Sequence, residues 1–248
     1  MTGLGCWLLV IGLCDLFRAA RDLTSLRRRF TLVGAGLGLV AVASVASQPE
    51  GVGAVAWGLG AVGFVGWVVA SSSALGPGTT RGGVVAAAYG SLLLGVLGFV
   101  LVDERAGSPA GVEGLVERSA LGDVTLDALV LVAGVLLVQL STANVAIRLL
   151  LDLVGVPAAD NEKQLKGGRV LGPMERLVIV GFGLAGSLTG AALVVAAKAL
   201  LRFPELRSSG GGSSPVRGAS DVTEYFLVGS FASWLVALGG VALASGLS

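Results

Sequence analysis

Apolar residues run through this chain in long blocks instead of alternating with polar ones. Six stretches contain no Asp, Glu, Lys or Arg, and each is long enough to cross about 30 Å of hydrocarbon at about 1.5 Å per residue. They cover residues 31–49, 51–80, 82–102, 128–147, 177–197 and 225–248. The second stretch exceeds one helix, so we end that span near Ser73, before the turn sequence Gly76-Pro77-Gly78. The pattern predicts six membrane-spanning helices.

A seventh, shorter apolar segment lies at the start of the chain, from Gly3 to Phe17, and contains Asp15 near its end. It has neither a basic n-region nor a small-residue cleavage site, so a signal peptide is not indicated. Positive charges follow the apolar run instead. We therefore expect a retained first helix, and an all-α polytopic bundle of about seven spans with the N-terminus outside and the C-terminus inside.

Composition supports a membrane protein and narrows its chemistry. Charged residues make up 13% of the chain, roughly half the share of a soluble domain. The net charge of +1 disfavours nucleic-acid binding. The chain has no histidine, and its two cysteines, Cys6 and Cys14, share one apolar segment. Because histidine is the usual general base and a common metal ligand, we expect neither a cofactor nor a metal, and the composition favours a protein without catalysis.

The placement of Lys and Arg sets the expected orientation. With the N-terminus outside, eleven basic residues fall on inside loops and six on outside segments. Residues 198–217 are basic yet fall outside, so either a re-entrant segment inverts the last two helices or these charges have local partners. We divide the chain into a four-helix part, 1–127, which ends in an acidic outer loop, and a three-helix module, 128–248.

A polar stripe marks the fifth predicted span. Ser141, Asn144, Arg148 and Asp152 are spaced so that they share one face of a helix. Such a stripe lines a path for a solute or a lipid headgroup, or else forms hydrogen bonds between helices with Arg148 extended toward the membrane surface.

Basic residues precede the sixth predicted span. Lys166, Arg169 and Arg176 surround the Gly167-Gly168 pair and the start of a helix. They are candidates for binding an anionic lipid headgroup, although ordinary positive-inside charge explains them equally well.

The last two predicted spans carry small residues at close-packing spacing, such as Gly183-x-x-x-Ser187 and Gly229-x-x-x-Ser233, and are expected to pack as a pair. Lys198 and Arg202 end one span and Glu224 begins the next, so an ion pair of Glu224 with either is expected.

Three motifs carry a resemblance to a known family. They are Lys166-Gly-Gly-Arg169-Val-Leu-Gly172-Pro-Met-Glu175-Arg176, Ala196-Ala197-Lys198-Ala-Leu-Leu-Arg202-Phe203 and Thr223-Glu224-Tyr225-Phe226-Leu227-Val-Gly229-Ser230. In order and spacing they resemble the C-terminal region of a family of uncharacterised bacterial polytopic membrane proteins. The resemblance covers roughly residues 140–245 and carries no activity. It implies a shared module, and from it we expect a structural charge cluster of Glu175, Lys198, Arg202, Glu224 and Tyr225.

A straight sixth span would separate Glu175 and Arg176 from Lys198 and Glu224 by roughly 33 Å, which predicts two charge clusters, one on each face. The function expected is that of a plasma-membrane protein with a structural or headgroup-binding module, whose partners are membrane lipids, a second copy or another membrane protein. Two alternatives stay open. A small-solute or lipid transporter requires a continuous polar cavity along the stripe. An enzyme acting on a lipid phosphate requires Arg169, Arg176 and an acid in one pocket.

Overall fold

The computed structural model describes residues 2–20, 26–49, 51–76, 82–102, 125–155, 168–208 and 217–245. These residues are helical with short breaks, and no strand occurs among them. The helices are α1 (Thr2–Ala20), α2 (Leu26–Ser47), α3 (Val52–Ala74), α4 (Gly82–Val100), α5 (Leu126–Leu140), α6 (Thr142–Val154), α7 (Gly168–Leu184), α8 (Leu188–Ser208) and α9 (Arg217–Ser245).

Four helices are long and apolar enough to cross a membrane. They are Arg29–Ser47 within α2, α3, α4 and Glu224–Ser245 within α9, and the bent pair α5–α6 adds a fifth if it counts as one span. Several apolar helices are what a membrane-embedded protein requires. The prediction of an all-helical protein with such helices is confirmed.

The core forms where α1 packs against α3, α4 and α5. Trp7 of α1 is fully buried, and its indole N–H donates to the Gly60 carbonyl of α3 at 2.8 Å. On the other side of α1, Gly5 and Gly134 let two backbones meet, since a Cβ on Gly134 would lie 2.7 Å from the Gly5 oxygen. Glycine therefore serves close helix packing here.

The fifth predicted span bends at Ser141. Helices α5 and α6 meet there at 41°, and Ser141 leaves helical geometry with φ −123° and ψ −69°. Its buried hydroxyl lies 2.7 Å from the Gly12 carbonyl of α1, to which it donates. The stripe predicted for one straight helix therefore crosses a break.

The sixth predicted span, 177–197, is wrong as a single helix, because the chain turns back at Gly186. Gly186 has φ +72°, a left-handed conformation that glycine adopts without strain. The Ser187 N–H donates to the Phe182 carbonyl at 2.8 Å, and the Gly186 N–H donates to the Gly183 carbonyl at 3.0 Å. These two hydrogen bonds form a Schellman motif. Helix α7 ends there.

Ser187 then begins α8 by accepting a hydrogen bond from the Gly190 N–H at 3.3 Å, as an N-cap residue does. Gly190 lies against the Phe182 ring, since a Cβ at that position would come within 2.6 Å of it. Helices α7 and α8 thus form a hairpin, in which charged residues of the two arms come together.

Candidate functional site

A buried arginine lies where α5, α6, α7 and α9 meet. Arg176 of α7 is only 2% exposed. Its Nε and Nη2 atoms donate to the Gln139 carbonyl at 3.0 and 2.8 Å. Nη1 donates to the Ser233 hydroxyl at 3.1 Å, and Nη2 also donates to the Asn144 side-chain oxygen. Each of these partners is a neutral oxygen, so among the described residues the positive charge is solvated by dipoles and by no acid in direct contact.

The break at Ser141 explains why an acceptor is present at this depth in the bundle. The last carbonyls of a helix lack intrahelical partners and carry the negative end of the helix dipole. Gln139 belongs to the last turn of α5, and its carbonyl takes two N–H groups of Arg176. The bent span therefore supplies the negative pole that stabilises the buried cation.

Arg176 lies well away from the charged residues that begin the neighbouring apolar spans, Asp127 in α5 and Glu224 in α9. Gln139 follows Asp127 by twelve residues, which is about 18 Å along α5. Ser233 follows Glu224 by nine residues, or about 14 Å along α9. The sum of the two distances is close to the thickness of a membrane's hydrocarbon core, roughly 30 Å.

An ion pair joins the two arms of the hairpin. The Lys198 ammonium of α8 lies 2.5 Å from the Glu175 carboxylate of α7, and both side chains are largely buried. The ammonium also lies 5.7 Å from the centre of the Phe226 ring of α9, within cation–π range. The prediction of two separate clusters is wrong, because the hairpin brings Lys198 back to the level of Glu175. Lys198 takes Glu175 as its partner where Glu224 was expected, and Glu224 is exposed.

The predicted polar stripe divides into three environments. Ser141 faces α1, whereas Asn144 binds Arg176 and donates from its amide nitrogen to the Leu140 carbonyl at 2.9 Å. Arg148 is exposed on the outside of the bundle, and Asp152 is half-buried. Only Asn144 of this set joins the Arg176 site.

The other predicted basic and charged residues are described only in part. Lys166 lies outside the described residues, and the side chains of Arg169 in α7 and Arg202 in α8 do as well. Tyr225 of α9 is half-buried. Arg176 faces the interior of the bundle, so it is not placed to reach a headgroup at the surface.

A second buried charge lies on α1. Asp15 is fully buried, and its carboxylate lies 2.7 Å from Nη2 of Arg18. The Trp67 indole N–H of α3 donates to it at 2.9 Å. The sequence carries a signal for this pair, an acid and a base three residues apart at the end of an apolar segment, and the predictions above do not include it. Within the described part of the chain, no three His, Cys, Asp or Glu side chains come close enough to hold a metal ion.

Comparison with known proteins provides no relative. No protein-family model matches the chain, and neither a curated protein nor a solved structure does. The family resemblance of the C-terminal region therefore stays a prediction.

Proposed function

We propose that this chain is a non-catalytic, multi-pass protein of a bacterial plasma membrane, whose C-terminal module binds anionic lipid headgroups. The observation that carries the proposal is the contact between Lys198 and Glu175. A hairpin whose two antiparallel arms contact each other at Glu175 and Lys198 begins and ends on the same side of a membrane.

The distribution of basic residues supports this arrangement. Four basic residues move to the inner side with the end of the hairpin, namely Lys198, Arg202, Arg207 and Arg217. The division between inside and outside changes from eleven against six to fifteen against two. With the buried Arg176 counted on the inner side, the distribution then follows the positive-inside rule, and only Arg105 and Arg118 remain outside. Helix α9 runs outward in this arrangement, so the C-terminus lies outside, opposite to the orientation expected from a straight sixth span.

The proposed arrangement gathers cations at one membrane surface. Lys166 and Arg169 precede the buried part of α7, and Arg202 follows that of α8. Clusters of Lys and Arg next to a membrane attract anionic lipids, at about 1 kcal/mol for each residue near the surface. In this proposal Arg176 acts as a positioning residue, since it fixes α7 to α5 and α9 and so holds the basic surface in place.

Lipid retention by the purified full-length protein tests the proposal. The double variant Lys166→Gln/Arg169→Gln should weaken binding of phosphatidylglycerol by roughly 30-fold, which corresponds to about 2 kcal/mol. The matched control Arg105→Gln/Arg118→Gln, which removes two charges from the opposite loop, should leave it unchanged. Native mass spectrometry with phosphatidylglycerol and phosphatidylcholine gives the measurement. Equal losses in both variants, or no preference for the anionic lipid, would contradict headgroup binding.

A transporter of a small anion is the second candidate, and the surroundings of Arg176 favour it. Interrupted helices meeting at a buried cation are typical of secondary transporters, where helix ends contact the substrate. Here α5–α6 and α7–α8 are both interrupted, and α7 carries the cation. Flux of chloride, phosphate and acetate into proteoliposomes tests this candidate. Loss of flux in Arg176→Gln, with retention in Arg148→Gln, supports transport, and flux at the level of protein-free vesicles contradicts it.

The third candidate function, that of an enzyme acting on a lipid phosphate, has no such support. Glu175 is paired with Lys198, and the Arg176 guanidinium is bound to three neutral groups, so the two do not converge on a common open space.

A further inference from the structure

The buried Arg176 carries a positive charge that no acid among the described residues neutralises by direct contact. Its neighbour in sequence, Glu175, is paired with Lys198 at 2.5 Å, so these two cations and one anion together carry a single positive charge. The guanidinium itself contacts only neutral oxygens. Charged side chains within a membrane usually pair with one another, because an unpaired charge is costly in hydrocarbon. One negative charge beside Arg176 would therefore make the cluster neutral.

Two hydrogen-bond donors of this site are left over by the described part of the chain. A guanidinium has five N–H groups. Four of those on Arg176 donate to Gln139, Asn144 and Ser233, which leaves one N–H on Nη1. The Ser233 hydroxyl accepts from the same Nη1 at 3.1 Å, and its own hydrogen is given to no described residue. The two remaining donors are therefore on adjacent atoms.

Helices α7 and α9 run in the same direction at this site. Arg176 of α7 contacts Ser233 of α9. Seven and eight residues further along, Gly183 meets Val241, since a Cβ on the glycine would lie 2.4 Å from that side chain. The residues one turn before Arg176 and Ser233 therefore lie at a common level.

Both of those preceding positions are glycines. Gly172 of α7 and Gly229 of α9 are half-buried. Among the described residues, a Cβ on Gly172 would meet only Nη1 of Arg176, at 3.6 Å, outside the backbone of its own helix. A Cβ on Gly229 would meet only the Leu151 side chain, at 3.7 Å. The two glycines therefore leave a small, partly exposed space beside Nη1.

We propose that this space binds one inorganic anion of halide size, held by the Nη1–H of Arg176 and the hydroxyl of Ser233. The anion brings the charge of the cluster to zero. Two adjacent donors suit a small spherical ion, whereas a phosphate or carboxylate group has several oxygens that each require donors. The inference rests on the anion-transport candidate and names its substrate class, which is chloride or bromide and neither phosphate nor acetate.

Chlorine nuclear magnetic resonance of the purified full-length protein in detergent tests the site, because chloride that exchanges with a protein gives a broadened signal. Gly172→Ala should abolish the excess line width, since the added methyl group fills the space beside Nη1. Ser233→Ala should weaken chloride binding about tenfold, the effect of one hydrogen bond to a charged group. The matched controls are Gly181→Ala, where a Cβ meets nothing within 4 Å, and Ser230→Ala, which is buried on α9. Both should bind chloride as the wild-type protein does.

Line broadening that persists in Gly172→Ala, that is absent from the wild-type protein, or that phosphate suppresses as well as bromide does would overturn the proposal. Thermal unfolding of Gly172→Ala should occur at the wild-type temperature or above it, because alanine favours a helix over glycine. A lower unfolding temperature would show that the space is already filled, and would also contradict the site.

Flux into proteoliposomes separates this inference from the transport candidate. Chloride binding that depends on Gly172 and Ser233, without chloride flux, supports the site and contradicts transport. Chloride flux that continues at the wild-type rate in Gly172→Ala supports transport and contradicts the site. The lipid-retention test of the headgroup-binding proposal involves other residues, so its outcome is independent of both.

Discussion

At the scale of single residues, the chain holds a charge inside the bundle by means of neutral oxygens. Arg176 binds the Gln139 carbonyl, the Asn144 amide oxygen and the Ser233 hydroxyl. Removal of a buried charge leaves its partners without a donor, and each such group costs about 1–3 kcal/mol. This arginine is therefore expected to determine the packing of the C-terminal module.

Replacement of Arg176 tests that role directly. Arg176→Met should lower the free energy of unfolding by about 2–4 kcal/mol, because three acceptors lose their donor while the hydrophobic stem is retained. Denaturant unfolding in detergent provides the measurement. Arg148→Met is the control, since Arg148 is exposed, and should change stability by less than about 0.5 kcal/mol. Similar effects of the two variants would show that Arg176 is not a structural determinant.

For the ion pair of Glu175 and Lys198 we expect single and double substitutions to change the free energy of unfolding differently. Glu175→Gln leaves Lys198 as an unpaired buried cation and should cost about 3–5 kcal/mol. The double variant Glu175→Met/Lys198→Met should recover most of that loss, since replacing a buried pair with apolar side chains is often neutral. The same unfolding assay measures both variants. Additive losses would speak against a contact between the two side chains.

At the scale of elements, the sequence predicts spans better than it predicts breaks within them. The charge-free stretches 51–80, ended near Ser73, and 82–102 correspond closely to α3 and α4. The absence of charged residues does not reveal the break within 177–197, because both arms of the hairpin are apolar there. The local signal was present in Gly186-Ser187, a glycine that ends one helix followed by a serine that begins the next. Ser187 also fits the close-packing spacing Gly183-x-x-x-Ser187, which gives no indication of a turn.

The turn at Gly186 is open to a direct test. Gly186→Ala should destabilise the protein by about 1–2 kcal/mol, because a side chain in the left-handed region clashes with the backbone. Gly181→Ala is the matched control: nothing lies within 4 Å of a Cβ there, and alanine favours a helix over glycine. Thermal unfolding in one detergent compares the two. Equal or higher stability of Gly186→Ala would exclude the turn.

The contacts within the candidate site could not be predicted from sequence, because they depend on the breaks within the predicted spans. Glu175, Arg176 and Lys198 were singled out from their charge, but which of them meet depends on the hairpin. The carbonyl of Gln139 became an acceptor through the break at Ser141, and no residue type indicates a backbone oxygen. Asp15 was visible in the sequence, whereas its partner Trp67 comes from a distant helix.

At the scale of the whole molecule, the hairpin decides which segments share a membrane face. Helices α7 and α8 contact each other at the pair of Glu175 and Lys198, near the middle of each helix, and run antiparallel from the turn at Gly186, so the segments before and after the hairpin should lie on one side. A straight sixth span would place them on opposite sides. The headgroup-binding proposal depends on this difference, because only the hairpin gathers the basic residues at one surface.

Labelling of single cysteines on intact and permeabilised cells measures this arrangement most directly. In a background lacking Cys6 and Cys14, the variants Gln164→Cys, Ser213→Cys and Ser108→Cys report on three loops through reaction with a membrane-impermeant maleimide. The hairpin predicts that Gln164→Cys and Ser213→Cys react only after permeabilisation, whereas Ser108→Cys reacts in intact cells. Labelling of Ser213→Cys together with Ser108→Cys from outside would contradict the account.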